Sequence, residues 1–170
     1  MKTIRPSRYE DLPELLTVFD EARQQMRAGG NMRQWPDGRP SAEQIKADIQ
    51  RGVSYVVEKQ GLIVGTFALI PGEEPTYRII YEGHWLDDTQ PYATIHRIAK
   101  RHTAHGIFNL CLDFCLRQHS NLRIDTHADN LVMQHLIEAR GFSYCGIIHL
   151  ANGEERLAYQ LTGTEDLAKR

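Results

Sequence analysis

A mixed α/β fold, one twisted sheet with helices on both faces, is what this sequence predicts, and three observations predict it. Apolar residues recur at helical spacing in four stretches and at strand spacing or in short apolar runs in seven. The elements run in the order β, α, α, β, β, β, α, β, α, β, β. Meandering strands followed by alternating strands and helices imply a mixed sheet covered on both sides. The runs of consecutive strands exclude a fully alternating doubly wound fold.

Each element has its own signals. Thr3 and Ile4 suggest a short first strand. Ser7 and Glu10 form a Ser-x-x-Glu capping box, followed by Leu12, Leu15, Leu16, Phe19, Ala22 and Met26 at helical spacing until Gly29-Gly30 stops them. A second box, Ser41 with Gln44, opens a short helix carrying Ile45 and Ile49 that ends near Gly52. The period then changes. Residues 53–58 and 62–70 read as strands joined by a tight turn at Lys59-Gln60-Gly61. Residues 71–91 are irregular, with Pro71, Gly72, Pro75, Gly83 and Pro91. Residues 92–99 read as a strand, and 106–119 as a helix with Ile107, Leu110, Cys111, Phe114 and Cys115 inward. A strand over 122–126 precedes a helix over 130–140 that ends at Gly141. The last two strands flank Asn152-Gly153, a strong hairpin signal.

Composition narrows the function. At 170 residues one domain is expected, with a sizeable core. A net charge of -2 argues against general nucleic-acid binding, which needs Lys and Arg clustered on one face. No apolar run approaches the roughly 20 residues that span a bilayer, and the first residues have no apolar stretch to serve as a signal peptide. Three cysteines make an odd count without disulfide spacing, so a reduced cytoplasmic setting is expected.

Two clusters invite a metal and do not require one. Asp125, His127 and Asp129 alternate on an extended segment, so they point to one face. No second cluster supplies the remaining ligands, and Asp129 or Asn130 as a helix cap explains the residue types. Cys111, Cys115 and His119 share a helix face, but the cysteines lie on the inward stripe with Phe114, where cysteine serves as a small apolar residue. No metal is expected.

Gly106 reads either as a glycine that permits a turn before a helix or as part of an anion site. It precedes a helix, whose unpaired amides and dipole favour phosphate, and it has no side chain to hold a phosphate off. Lys100, Arg101, His102 and His105 surround it with positive charge.

Two stretches give the chain a family resemblance. Residues 98–108, "IAKRHTAHGIF", form a strand, a loop and a helix start. Residues 129–142, "DNLVMQHLIEARGF", form a helix that ends in Gly-Phe before a strand. Over nearly the whole chain, this resembles the GNAT superfamily of N-acetyltransferases, in a poorly characterised bacterial branch that "QWPDGRP" and "YCGIIHLANGEERLAYQ" also resemble. The family's Gln/Arg-x-x-Gly-x-Gly/Ala aligns with Thr103, Ala104, His105, Gly106, Ile107 and Phe108, where only Gly106 keeps the pattern. The family's Asn-x-x-Ala helix aligns at Asn130, Gly141 and Phe142, with Met133 replacing the alanine.

The resemblance implies a mostly antiparallel sheet of about seven strands with four helices, splayed between the fourth and fifth strands. It implies acetyl-CoA as cosubstrate, no metal, and direct transfer to a small-molecule or peptide amine in a ternary complex. The thioester would lie in the splay, facing the backbone amide of Ile98. Lys100, the 103–108 loop, Asn130 and Met133 would meet the coenzyme. Family members often carry a Glu or His at the positions of Tyr92 or Thr94; here His96 is the only imidazole on that strand face, and an ordinary imidazole pKa suits a base. A satisfied, partly buried histidine is the alternative. The family's general acid is a tyrosine seven residues after the asparagine, where this chain has Ile137. Tyr144 and His127 are the candidate substitutes, or the thiolate leaves unaided. Trp35, Tyr77, Tyr81, Trp85 and Tyr92 would wall the acceptor pocket. The acidic run Glu73, Glu74, Glu82, Asp87 and Asp88 reads either as a partner for a cationic amine or as solvated surface. The missing tyrosine keeps a non-catalytic acyl-CoA-binding or sensing module as the alternative function. Dimers are common in the family, so a homodimer is the oligomeric expectation.

Overall fold

The computed structural model describes residues 1–163. Seven strands, β1 (Lys2–Pro6), β2 (Ser54–Lys59), β3 (Leu62–Pro71), β4 (Ala93–Lys100), β5 (Leu122–Thr126), β6 (Ser143–His149) and β7 (Glu155–Leu161), form one sheet. Its order is β1-β2-β3-β4-β5-β7-β6. Only β4 and β5 pair in parallel; the other neighbours are antiparallel. The helices are α1 (Leu12–Ala28), α2 (Ala42–Gln50), α3 (Ile107–Gln118) and α4 (Leu131–Ala139). This is the mixed, mostly antiparallel architecture that the sequence predicts. No helix among the described residues is long and apolar enough to cross a membrane.

Strand alternation sends neighbouring side chains to opposite faces, and two cores result. Val56 and Ile63 meet Leu15, Val18 and Phe19 of α1 and Ile45 and Ile49 of α2. Val57, Phe67, Ile95 and Ile124 meet Ile107, Cys111 and Cys115 of α3 and Ile137 of α4. The irregular 71–91 segment is not a loose loop. Tyr77 and Trp85 are buried against Cys145, Ile148 and Ala158, a third apolar cluster beneath it.

The first capping box is not formed as expected. The Ser7 hydroxyl hydrogen-bonds Ser54 Oγ at 2.7 Å. Asp11 takes over instead, accepting the Arg8 amide at 2.7 Å and gripping the Arg5 guanidinium with both oxygens. A 3-10 turn at Tyr9–Asp11 therefore precedes α1. The second box forms its main bond, Ser41 Oγ accepting the Gln44 amide at 3.1 Å.

Two irregularities in the central strands shape the molecule. β4 and β5 pair only at Ala93–Leu122 and Thr94–Arg123, so they part towards their C-terminal ends. β4 also carries a bulge. Thr66 opposes Ala99 and Ala68 opposes His96, so Phe67 alone faces both Arg97 and Ile98. Arg97 adopts φ 52°, the left-handed region, which costs a residue with a Cβ about 1 kcal/mol or more. Asp48, buried on α2, holds it there by two bonds: Arg97 Nε to Oδ2 at 2.7 Å and Nη2 to Oδ1 at 2.9 Å.

At the far edge of the sheet, Tyr81 forms a single antiparallel bridge with Ile147 of β6, exchanging two backbone bonds of 2.8 Å. The approach is close because two glycines allow it. A Cβ on Gly83 would sit 1.9 Å from the Cys145 oxygen, and one on Gly146 would sit 2.5 Å from the Tyr81 oxygen.

Candidate active site

The parting of β4 and β5 opens onto a cavity of about 430 Å³. β4 contributes Ile98, Ala99 and Lys100; the following loop and α3 contribute Ala104 to Asn109. Asp129 to Met133 and Leu136 of α4 line the opposite wall, and Ala22, Gln25, Met26, Gly29 and Asn31 from the end of α1 close the third side. The candidate coenzyme residues Ile98, Lys100, Ala104, His105, Gly106, Ile107, Phe108, Asn130 and Met133 thus meet at one cavity, while Thr103 is exposed and outside its lining. The α1 wall went unseen in the sequence because a helix end gives no sign of what its last turn faces.

Local chemistry at this cavity suits an anion at one end. Gly106 sits at φ 71° and no side chain caps α3, whose first residues line the cavity. Its first-turn amides are unclaimed by any cap, and they carry the positive end of the helix dipole. Lys100 Nζ lies 3.3 Å from Gln25 Oε1 and 3.3 Å from the Arg101 carbonyl, both neutral acceptors. Burial lowers its pKa, so a negative ligand would relieve it. His105 also lines the cavity, but Arg101 and His102 are otherwise engaged, so the expected basic ring is only partly formed. Arg101 bonds Glu21 at 3.1 Å and Glu14 at 3.4 Å, and His102 lies against Glu21. They tie the loop to α1.

Asn130 acts as the expected cap, its Oδ1 accepting the Met133 amide at 3.1 Å. Its Nδ2 donates to Gln34 Oε1 at 2.9 Å, across the cleft to the segment joining α1 and α2. The rest of the alternating acidic stretch is used locally. Asp125 accepts a 2.5 Å bond from the buried Tyr77 hydroxyl, whose pKa burial and Asp125 push well up. His127 Nδ1 accepts the Asp129 amide at 3.0 Å, and burial with Arg156 nearby lowers its pKa. No group of three metal-ligating side chains occurs among the described residues.

His96 projects between two elements. Its Nε2 lies 3.4 Å from Glu74 Oε2. Glu74 is itself fixed, with Oε1 accepting from Thr76 Oγ1 at 3.0 Å and its amide donating to the Tyr92 hydroxyl at 2.7 Å. The imidazole beside it draws the Glu74 carboxyl down to about 2, against the opposing pull of burial. Glu74 went unrecognised in the sequence because it sits in an acidic run that reads equally well as surface.

The other candidates scatter. Tyr144 is 51% exposed on β6, edge-on to Tyr159, and lines neither cavity. Ile137 is fully buried. Trp35 packs edge-on to Phe19 at 5.6 Å, and Tyr81 stacks on His149 at 4.5 Å. Trp85 is core, donating its indole N–H to the Tyr77 carbonyl at 3.0 Å. Tyr77 and Tyr92 line a second cavity of about 440 Å³, where the Arg123 guanidinium is held between the Trp85 and Tyr92 rings, 3.9 Å from each. The aromatic residues read as one pocket wall therefore serve three different places. Aromatic content alone does not separate a pocket wall from a core.

No protein-family model matches the chain, and no curated protein matches it. Solved structures do. An acetyltransferase of the GNAT family from Streptococcus agalactiae is 32% identical, with 96% of each chain covered and a TM-score of 0.87. A GNAT-family acetyltransferase from Listeria monocytogenes is 17% identical over 95% of this chain and 94% of that one, with a TM-score of 0.70. The NatC complex, solved with Gag peptide and CoA, matches at 12% identity over 96% of this chain and 99% of that one, with a TM-score of 0.62. The two lower identities speak for the fold alone. The first, over nearly the whole of both chains, speaks for kinship, and together with the splayed sheet and its cavity it makes this chain a member of the GNAT family of acetyltransferases.

Proposed function

We propose that the protein is an acetyl-CoA-dependent N-acetyltransferase that transfers acetyl directly to an amine acceptor in a ternary complex. The reading is carried by the open end of β4–β5, which leads into a cavity bounded by the uncapped start of α3 and by Lys100. The residues present fit the cosubstrate. Backbone amides and a lysine without an anionic partner among the described residues suit a pyrophosphate, and Met26, Ile98, Met133 and Leu136 suit a thin flexible arm. One GNAT-fold neighbour was solved with CoA. Acetyl-CoA supplies the activated acyl group.

The chain's own residues supply the rest. A bulge leaves one residue out of the ladder, so the backbone at Arg97–Ile98 is free to face the carbonyl oxygen as it gains charge. His96 is the base. Its Nε2–H faces Glu74, which leaves the lone pair on Nδ1 to take the acceptor's proton. Glu74 orients the ring and stabilises the imidazolium that forms. Neither candidate acid suits the task. Tyr144 stands on β6, the edge strand separated from β5 by β7, and the His127 ring is committed to the Asp129 amide. Since a thiol's ordinary pKa is about 8.5, the thiolate leaves without a protein acid. The acceptor is a small-molecule or peptide amine reaching His96 past Glu74.

Ile137, where family members carry a tyrosine, favours a second reading, an acyl-CoA-binding module without catalysis. Thiol release from acetyl-CoA across a panel of amines, corrected for hydrolysis, decides between them. Amine-dependent release supports the enzyme. Tight CoA binding with no such release supports the sensor, and no CoA binding overturns both.

A further inference from the structure

The corner of the β4–α3–α4 cavity beside the α1–α2 segment holds polar side chains that fix one another's orientation. The chain of inference starts at a backbone N–H. The Met133 amide donates to Asn130 Oδ1, so the other end of Asn130 is its nitrogen. That nitrogen meets Gln34 at 2.9 Å, so the Gln34 atom is oxygen. The same oxygen is 2.9 Å from the Asn31 side chain, so Asn31 presents its nitrogen there. The end left over is Asn31 Oδ1. It is buried, and among the described residues it has no donor. Asn31 is 4% exposed and lines the cavity.

A buried amide oxygen without a donor loses its hydration and gains nothing in return, and native structures keep few of them. The oxygen itself has no open surface, so the donor has to come from a ligand that settles against Asn31 and shifts its amide towards the cavity it lines. Phosphate carries no N–H and would be repelled by this oxygen. The apolar walls around it, Met26, Met133 and Leu136 among them, suit an aliphatic chain that carries an occasional amide. We propose that Asn31 is a binding residue for the cosubstrate, its Oδ1 accepting an amide N–H of the pantetheine arm; this rests on the acetyl-CoA reading above. Asn130, which the family resemblance puts in contact with the coenzyme, is already bonded at both ends, to Met133 and to Gln34. Asn31 would add a contact from the α1 side of the cavity, from a residue 99 positions earlier in the chain.

The test compares CoA with adenosine 3′,5′-bisphosphate, which keeps the phosphates and lacks the arm. Calorimetry on the wild type, Asn31→Leu and Asn31→Ala should show CoA binding weakened about tenfold in both variants, the worth of one good hydrogen bond. The bisphosphate should bind all three proteins within twofold of each other. Asn31→Leu keeps the branched shape and removes the unpaired oxygen together with the Nδ2 bond to Gln34, whose oxygen keeps Asn130, so without ligand it should melt close to the wild type. Unchanged CoA affinity overturns the proposal, and so does an equal loss for both ligands, which would mean general damage to the cavity. A wild type that binds neither ligand overturns the cosubstrate reading itself.

Discussion

His96 and Glu74 carry two expectations at the scale of single residues. His96→Gln keeps a polar side chain of similar reach and loses the proton acceptor. Turnover should fall about 10²–10⁴-fold, while calorimetric CoA affinity holds, because His96 lies outside the cavity lining. In the wild type, turnover should rise with pH, as general-base catalysis requires. Near-normal turnover in the variant, with an unchanged pH profile, would exclude His96. Glu74 gives a pH signature of its own. Folding draws its carboxyl from an ordinary 4.5 down to about 2. Between those values the unfolded chain holds the proton and the native one does not, so stability falls as pH drops through that window. Urea melts at pH 5 and pH 3 should show a smaller loss for Glu74→Gln than for the wild type. Equal losses would mean the pair contributes nothing. Of these two residues the sequence shows only His96, as the one imidazole on its strand face. Glu74 acquires meaning when the chain brings residue 74 back over β4, 22 positions before its partner.

At the scale of elements, the start of α3 and the bulge in β4 make separate demands. Gly106 at φ 71° has open space around an added Cβ, and Asn and Asp tolerate this conformation better than most residues. Gly106→Asp should therefore fold, yet place a carboxylate beside the first amides of α3, where the pyrophosphate belongs. CoA affinity should drop well below that of Gly106→Asn, which has the same shape without the charge. Equal affinity in the two variants by calorimetry would remove the electrostatic argument. At the bulge, Asp48→Ala leaves the Arg97 guanidinium without its two bonds and frees a strained backbone. Breaking one side of a largely buried pair costs about 3 kcal/mol, which a shift in the urea midpoint should show. The thin gap at β4 should also lose its shape, so turnover should fall further than CoA affinity. The strand itself is plain in the sequence, but its bulge is not. Arginine in the left-handed region leaves no local mark, because the force holding it there comes from α2, 49 positions away.

For the whole molecule, the order of elements was legible because hydrophobic period and capping are local. The splay was legible only through the family resemblance, and the wall of the cavity made by α1 not at all, since both depend on which elements the sheet brings side by side. The misread cap at Ser7 is the same lesson in miniature: its hydroxyl answers to Ser54, 47 residues on. The bridge from Tyr81 to Ile147 has a consequence for life in a crowded solution. A strand at the end of a sheet is a template on which other chains can add. Here Tyr81 already occupies the amide and carbonyl of Ile147 in the middle of β6, so that edge offers no continuous run for a stranger to zip along. Gly83 is what lets the plug seat. Gly83→Val would drive a side chain into the Cys145 carbonyl, lift the plug and uncover the edge. Concentration-dependent light scattering should then climb in a protein that still binds CoA. A variant as quiet as the wild type would mean that the edge is guarded by something other than Tyr81.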